Sequence, residues 1–215
     1  MENIVQIDQS IILWVSRLVD RNEALDRVMI VLASDYFIPV CISLILLFMW
    51  YMGKDFAERD HYQRAVVCAA ISIGIVCLTV MASNSIWRHS HPFQDMPQLL
   101  DSVTNHIFYP IHDPAFPSNT SSVTFAAAAG VWQKDRKWGL IVLIPATLMP
   151  LAKVYAAVYY PSDILGGAIL GILTAYFIGK VAMPLLQLPI AIALWGLRRA
   201  RLGELPSLSQ RTFAM

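Results

Sequence analysis

The chain has 215 residues, of which 57% are hydrophobic and only 14% charged, with a mean hydropathy of +0.55 and a formal net charge of +1. Soluble domains carry about 25% charged residues, so this composition excludes an ordinary soluble globule and points to a membrane. The near-neutral balance offers no footing for nucleic acid. Polar linkers and low-complexity blocks are absent, which implies one domain. Cys41, Cys68 and Cys77 all lie inside apolar runs and read as buried free thiols, not as a disulfide framework. The opening "MENIVQIDQS" has no basic stretch followed by a cleavage site, so no cleaved signal peptide is expected.

Residues 1–34 place Ile4, Ile7, Ile11, Ile12, Trp14, Val15 and Leu18 at mostly helical spacing, with Asp8, Gln9, Ser16 and Arg17 between them. This predicts an amphipathic helix lying on the bilayer, followed by a short helix entering it. Residues 35–186 hold the core bundle. A membrane span needs roughly 17–25 apolar residues. Tyr36–Gly53, Ala65–Trp87, Trp138–Val158 and Asp163–Leu186 meet that length, and Thr120–Trp132 does so with a few preceding residues. Pro145 and Pro150 predict a kink in the fourth of these segments. Residues 187–215 form a half-span or interfacial helix and a basic tail carrying Arg198, Arg199, Arg201 and Arg211. The expected fold class is therefore an all-α integral membrane protein of about six helices with an N-terminal surface helix.

Lys54, Arg59 and Arg64 mark one connection, and Lys134, Arg136 and Lys137 another. An excess of Lys and Arg marks cytoplasmic loops, so these connections and the tail are expected on the cytoplasmic side. The loop from His89 to Asn119 and the turn near Tyr159–Pro161 then share the outer face. Arg17, Arg21 and Arg27 fall on that outer face as well, beside Asp20, Glu23 and Asp26.

Three polar stretches converge there: "NSIWRHSHP" from Asn84, "FPSNTSS" from Phe116 and "KVYAAVYYPSDILGG" from Lys153. Polar groups at membrane depth tend to line cavities or functional sites. Ser118 or Asn119 suits a helix N-cap, and a helix start with free N–H groups suits a phosphate. The plainer alternative is an ordinary Ser-rich cap. Tyr159 and Tyr160 read either as interfacial belt aromatics or as site residues.

In these stretches the chain resembles the type 2 phosphatidic acid phosphatase family, in particular its small bacterial undecaprenyl-pyrophosphatase members. The family pattern runs KxxxxxxRP, PSGH and SRxxxxxHxxxD. Here Asn84 stands at the lysine position and His91 at the first arginine. Ser118 is kept, Asn119 replaces the glycine and Thr120 the acid histidine. Lys153 replaces the second arginine, Tyr159 the nucleophilic histidine, and Asp163 is kept. Pro92, Pro117 and Pro161 match the frame. The resemblance implies a multi-pass protein of the bacterial inner membrane, with the motif face outward. Arg88, Ser118 and Lys153 are the candidates to bind a lipid phosphate, and no cofactor or metal is implied.

The substitutions remove the family's chemistry. Covalent catalysis needs an activated nucleophile. Tyr159 starts from a pKa near 10, and Thr120 is no general acid at neutral pH. Asn84 lacks a charge, and Lys153 lacks the guanidinium fork. The expectation is a pseudoenzyme that keeps the cavity for a lipid phosphate, or an accessory subunit of a larger membrane complex, in contact with membrane lipids. The alternative is a lipid (pyro)phosphate phosphatase with a rebuilt site. Such a site would use Tyr159 with Lys153 and Asp163, or a metal held by His89, His91, His106 and His112 with Asp113 or Asp163. The kept Asp163 is expected to pair with Lys153 or to cap its own helix.

Overall fold

The structure is a computed structural model that describes residues 2–86, 89–96, 99 and 114–199. The expectations for Trp87, Arg88, His106, His112, Asp113 and the tail beyond residue 199 lie outside the described residues. Regular structure among the described residues is helical throughout.

Helix α1 (Glu2–Ser16) presents Ile4, Ile7, Ile11 and Trp14 outward, while Asp8 and Ile12 are buried against the bundle. The apolar stripe thus faces away from the protein, as a helix lying on a bilayer requires. Asp8, read from sequence as a member of the polar face, instead turns inward. Helix α2 (Glu23–Ala33) starts at Asn22, whose side chain accepts from the N–H groups of Ala24 and Leu25. Helix α3 (Phe37–Tyr51) follows after a bend of 59°. Neither reaches spanning length alone, and only the bent pair taken together is long and apolar enough to cross a membrane. The segment expected to span over Tyr36–Gly53 is thus a 15-residue helix joined to α2 through the bend. The break has a local cause: the Ser34 hydroxyl accepts from the Tyr36 N–H at 3.2 Å, holding the chain out of helix. Pro39 is then tolerated in the first turn of α3, where N–H groups have no helical partner.

Helix α4 (Phe56–Ile86), helix α7 (Arg136–Tyr155) and the segment Pro161–Leu185 are long and apolar enough to cross a membrane. A one-turn helix α5 (Pro92–Asp95) follows α4. Helix α6 (Asn119–Trp132) has 14 residues, about 21 Å at 1.5 Å per residue, and leads from the motif end of the bundle to the Gln133–Lys137 turn. Its Ala126, Ala127, Ala128, Gly130 and Val131 are buried. The run of small residues makes α6 a core helix packed against α4, α7 and α8 (Pro161–Phe177).

Gly167 and Gly171 set the closest approach within this core. A Cβ at Gly167 would lie 2.5 Å from the Ser118 carbonyl oxygen, and one at Gly171 2.3 Å from that of Ser122. Small residues four apart are the usual device for bringing two membrane helices together. Helix α7 starts at Asp135, whose side chain accepts from Lys137 and Trp138 N–H, and continues through Pro145 and Pro150. After α8 the chain passes a π turn (Ile178–Ala182) and the short α9 (Met183–Leu185). Helix α10 (Gln187–Arg199) exposes Leu188, Ile192 and Trp195 and stays below spanning length.

Candidate functional site

The end of α4, the start of α6, the end of α7 and the start of α8 meet at one end of the bundle. Backbone bonds fix the meeting. Ser118 N–H donates to the Asp163 carbonyl at 3.2 Å, and Ala115 N–H to the His89 carbonyl at 2.9 Å. Helix α7 stops because Val158 N–H closes back on the Lys153 carbonyl and Ala157 N–H on that of Val154, both at 2.9 Å. This is a Schellman closure with Ala157 at the left-handed position, φ +54°.

The structure brings most of the sequence-predicted positions together, but in roles unlike those of a phosphate site. Lys153 is buried, and its Nζ lies 2.5 Å from Asp35 Oδ1 at the α2–α3 break. The Lys153–Asp163 alternative is thereby corrected. The same ammonium lies 5.7 Å from the centre of the buried Tyr159 ring. His91 is 1% exposed. Its Nδ1 lies 2.7 Å from the Val158 carbonyl oxygen, and its ring stacks on Phe93 and sits 5.4 Å from Tyr159. Ser118 caps α6, its Oγ accepting from Ser121 N–H at 3.3 Å. Asn119 is exposed and Thr120 half-buried in the first turn of that helix. Asn84 ends α4 with a buried Oδ1 that has no hydrogen-bond partner. Arg88 lies outside the described residues.

Asp163 takes the capping role expected of it. It is fully buried, and its Oδ2 accepts from Tyr160 N–H at 3.0 Å. Its Oδ1 lies 3.4 Å from His89 Nδ1 and has no hydrogen-bond partner. The tyrosine pair is not an interfacial belt, since both rings are only 3% exposed. The Tyr160 hydroxyl donates to Asp95 Oδ2 at 3.0 Å, and Ser90 donates to Asp95 Oδ1 at 2.7 Å. Burial, then the bond to Asp95 and the charges of Asp95, Asp163 and Asp8, push the Tyr160 hydroxyl well above its usual pKa. It therefore stays a neutral donor.

Three aspartates of the first two helices and the bend after them, unremarked in the sequence as site residues, bind the same region. Asp8 accepts from both the N–H and the hydroxyl of Ser162 in the first turn of α8. Asp26 accepts from the Tyr155 hydroxyl at 2.5 Å, and Asp35 holds Lys153. The signal that could have found them is a carboxylate placed within or beside an apolar helix, which is costly without a partner.

A cavity of about 620 Å³ opens beside this cluster, lined by Ile4, Val5 and Asp8 of α1, Ile86, His89, Asp95, Phe116, Tyr160, Ser162 and Asp163. Among these described lining residues three are aspartates and none is Lys or Arg. Ser118, Lys153 and Tyr159 are not among them. The start of α8, a second helix start besides that of α6 at which an anion could sit, is taken by the Asp8 carboxylate.

No family model matches the chain. It is 25% identical over 145 residues, 67% of each chain, to the putative undecaprenyl-diphosphatase YbjG of Escherichia coli. It is likewise 25% identical over 156 residues to the undecaprenyl-diphosphatase BcrC of Bacillus subtilis, covering 72% of this chain and 74% of that one. A third relative is the bacitracin transport permease protein BcrC of Bacillus licheniformis, 25% identical over 113 residues and matched over only about half its length, 53%. Among solved structures, the transmembrane PAP2 type phosphatidylglycerolphosphate phosphatase of Bacillus subtilis superposes with a TM-score of 0.56 at 19% identity, over 83% of this chain and 85% of that one. The chain has the fold of the type 2 phosphatidic acid phosphatases and resembles their undecaprenyl-diphosphatase members in sequence.

Proposed function

We propose that this membrane protein keeps the lipid-phosphatase frame without the hydrolysis, and serves as an amphiphile-binding or accessory membrane component. One observation carries the proposal: the chain's own carboxylates occupy two places that could hold a phosphate, the Lys153 ammonium and the start of α8. Asp35 neutralises Lys153, and Asp8 fills the N-terminus of α8. Phosphoryl transfer depends on positioning and on stabilising negative charge. A region carrying Asp8, Asp35, Asp95 and Asp163 opposes both. Loss of one charge-stabilising group costs roughly 10²–10³ in rate, and here the nucleophile and acid positions are also changed.

The test is phosphate release from undecaprenyl pyrophosphate and from phosphatidate by the purified chain in detergent, with and without divalent metal. The expected result is no release above that of a heat-denatured sample. Tyr159→His alone should restore none, because the acid and the cations remain absent. Robust turnover by the unaltered chain would overturn the proposal.

A second reading has its own support in the His89–Asp163 approach of 3.4 Å, which returns a histidine to the kept carboxylate from a different part of the chain. On that reading the chain hydrolyses a lipid phosphate, and His89→Gln abolishes the turnover while Tyr159→Phe leaves it.

A further inference from the structure

The end of the bundle opposite the motifs carries a second hollow, of about 380 Å³, inside the range of small-ligand sites. Small residues leave it open, namely Ala128 and Ala129 of α6 and Gly139 of α7, and Phe125, Trp132, Leu143 and Ile172 border it. All of these described lining residues are apolar. Helices α6 and α7 touch at Gly139, where a Cβ would lie 2.6 Å from the Trp132 Cα. Phe125 and Trp132 are both on α6, so the hollow extends about 10 Å along that helix at 1.5 Å per residue. Trp132 and Ile172 are exposed, and so are the neighbouring Leu140 and Ile144 of α7 and Ile169 and Leu173 of α8. On helices long enough to span, side chains of this kind turned outward meet hydrocarbon.

The mouth of the hollow is basic. Helix α6 ends at Trp132, and the Gln133–Lys137 turn that follows carries Lys134, Arg136 and Lys137, all exposed. Arg136 lies one turn before Gly139 and two turns before Leu143 on α7, hence on the helix face that borders the hollow. A further cation comes from the far end of α8. Gln133 Nε2 donates to the Ala175 carbonyl at 2.6 Å, and the same side chain packs so closely on Gly179 that a Cβ there would collide with it. The exposed Lys180 follows Gly179 directly, so the π turn delivers it to this end. The carboxylate of the turn, Asp135, is engaged elsewhere: it accepts from Lys137 and Trp138 N–H, and it lies 3.7 Å from His61. Trp132, between the hollow and the turn, is the kind of ring that settles at headgroup level.

An apolar hollow that faces hydrocarbon beneath a basic mouth complements a molecule with a tail and an anionic head. We infer that one acyl chain of an anionic phospholipid lies in this hollow, with its phosphate held by Arg136 and Lys180 and its glycerol region beside Trp132. Lys134 and Lys137 strengthen the positive field at the headgroup. The site uses none of the residues of the motif cavity and lies at the other end of the bundle, so it stands or falls independently of hydrolysis.

The test is native mass spectrometry of the full chain in a neutral detergent, titrated with dioleoylphosphatidylglycerol and, separately, with dioleoylphosphatidylcholine, which has the same chains and no net charge. One phosphatidylglycerol should bind saturably, about tenfold or more tighter than phosphatidylcholine. Arg136→Gln combined with Lys180→Gln should weaken phosphatidylglycerol about 25-fold, as expected for two cations beside an anionic headgroup, and should leave phosphatidylcholine unchanged. Ala129→Leu, which fills the hollow, should weaken both lipids. The two glutamine changes are at exposed positions, and they keep the test decisive if the Ala129 variant fails to fold. Glycerol 3-phosphate, a headgroup without chains, should not displace the bound lipid. Arg17→Gln, which removes an exposed cation at the motif end, should leave the affinity unchanged. Equal binding of the two lipids, full affinity in the double glutamine variant, an equal loss in Arg17→Gln, displacement by glycerol 3-phosphate, or dimers of the chain in place of a lipid adduct would overturn the assignment.

Discussion

Lys153 and Asp35 are buried to different extents, and that difference sets what each contributes. The lysine side chain is 4% exposed and the aspartate 39%. Removing the carboxylate takes a charged partner from an ammonium with little access to water, whereas removing the ammonium leaves a carboxylate that water can reach. Asp35→Asn should therefore cost about 2–3 kcal/mol, and Lys153→Met clearly less, as read from thermal melting in detergent. Equal losses would count against an ion pair that mainly serves the lysine. Ala157 is a second residue with a defined cost. Its φ of +54° is a conformation that L side chains adopt at about 1 kcal/mol or more, so Ala157→Gly should raise stability by about 1 kcal/mol. Neither feature could be read in the sequence. Motif spacing located Lys153, Tyr159 and Asp163, but the partner of Lys153 lies 118 residues away across a helix break. The closure of α7 uses alanine where a glycine would have announced it. The carboxylate character of the site was hidden for the same reason, since Asp8, Asp26 and Asp35 carry no motif and acquire meaning only through the helices that pack them.

Among the elements, α6 has the most to lose from small changes, because α4, α7 and α8 all close on it. Gly171 allows α8 to touch its backbone, and a methyl group there would meet the Ser122 carbonyl oxygen at 2.3 Å. A backbone oxygen cannot rotate away, so Gly171→Ala should cost about 2–3 kcal/mol by forcing the helices apart. A methyl group at Gly74 in α4 would meet nothing within 4 Å. There the same change should stabilise by about 0.5–1 kcal/mol, through helix propensity alone. Paired melting curves check both, and a loss at position 74 as large as that at 171 would contradict the packing argument. Hydropathy made the long helices legible, because α4, α7 and the Pro161–Leu185 segment each satisfy a length rule. It did not reveal that α6 lies inside the bundle or that α3 follows a bend, for physical reasons. An alanine-rich stretch is as apolar as a lipid-facing one yet small enough to be enclosed. A span broken by a Ser34 side-chain bond keeps its composition while losing its continuity.

Across the whole molecule, charge is divided between the two ends of the bundle. His61 Nε2 lies 3.7 Å from Asp135 Oδ2, which brings the Lys54–Arg64 connection beside the Gln133–Lys137 turn. Lys54, Arg59, Arg64, Lys134, Arg136 and Lys137 thus gather at one end, and the carboxylate-lined cavity lies at the other. Lys and Arg in short connections are held on the cytoplasmic side during insertion, while Asp and Glu contribute little to the choice. Arg17, Arg21 and Arg27 belong to the cavity end and oppose that bias, although Arg27 is paired with Glu23 one turn away. Two short connections with three cations each should outweigh one segment that lies along the surface. We predict that the cavity opens away from the cytoplasm. In a background with Cys41, Cys68 and Cys77 changed to alanine, Arg21→Cys should react with a membrane-impermeant maleimide in intact cells, and Lys134→Cys should react only after the membrane is permeabilised. The reverse pattern would place the cavity on the cytoplasmic side. An amphiphile would then have to be delivered from the inner leaflet, and the three arginines near α1, not the two basic connections, would be the groups that set the orientation.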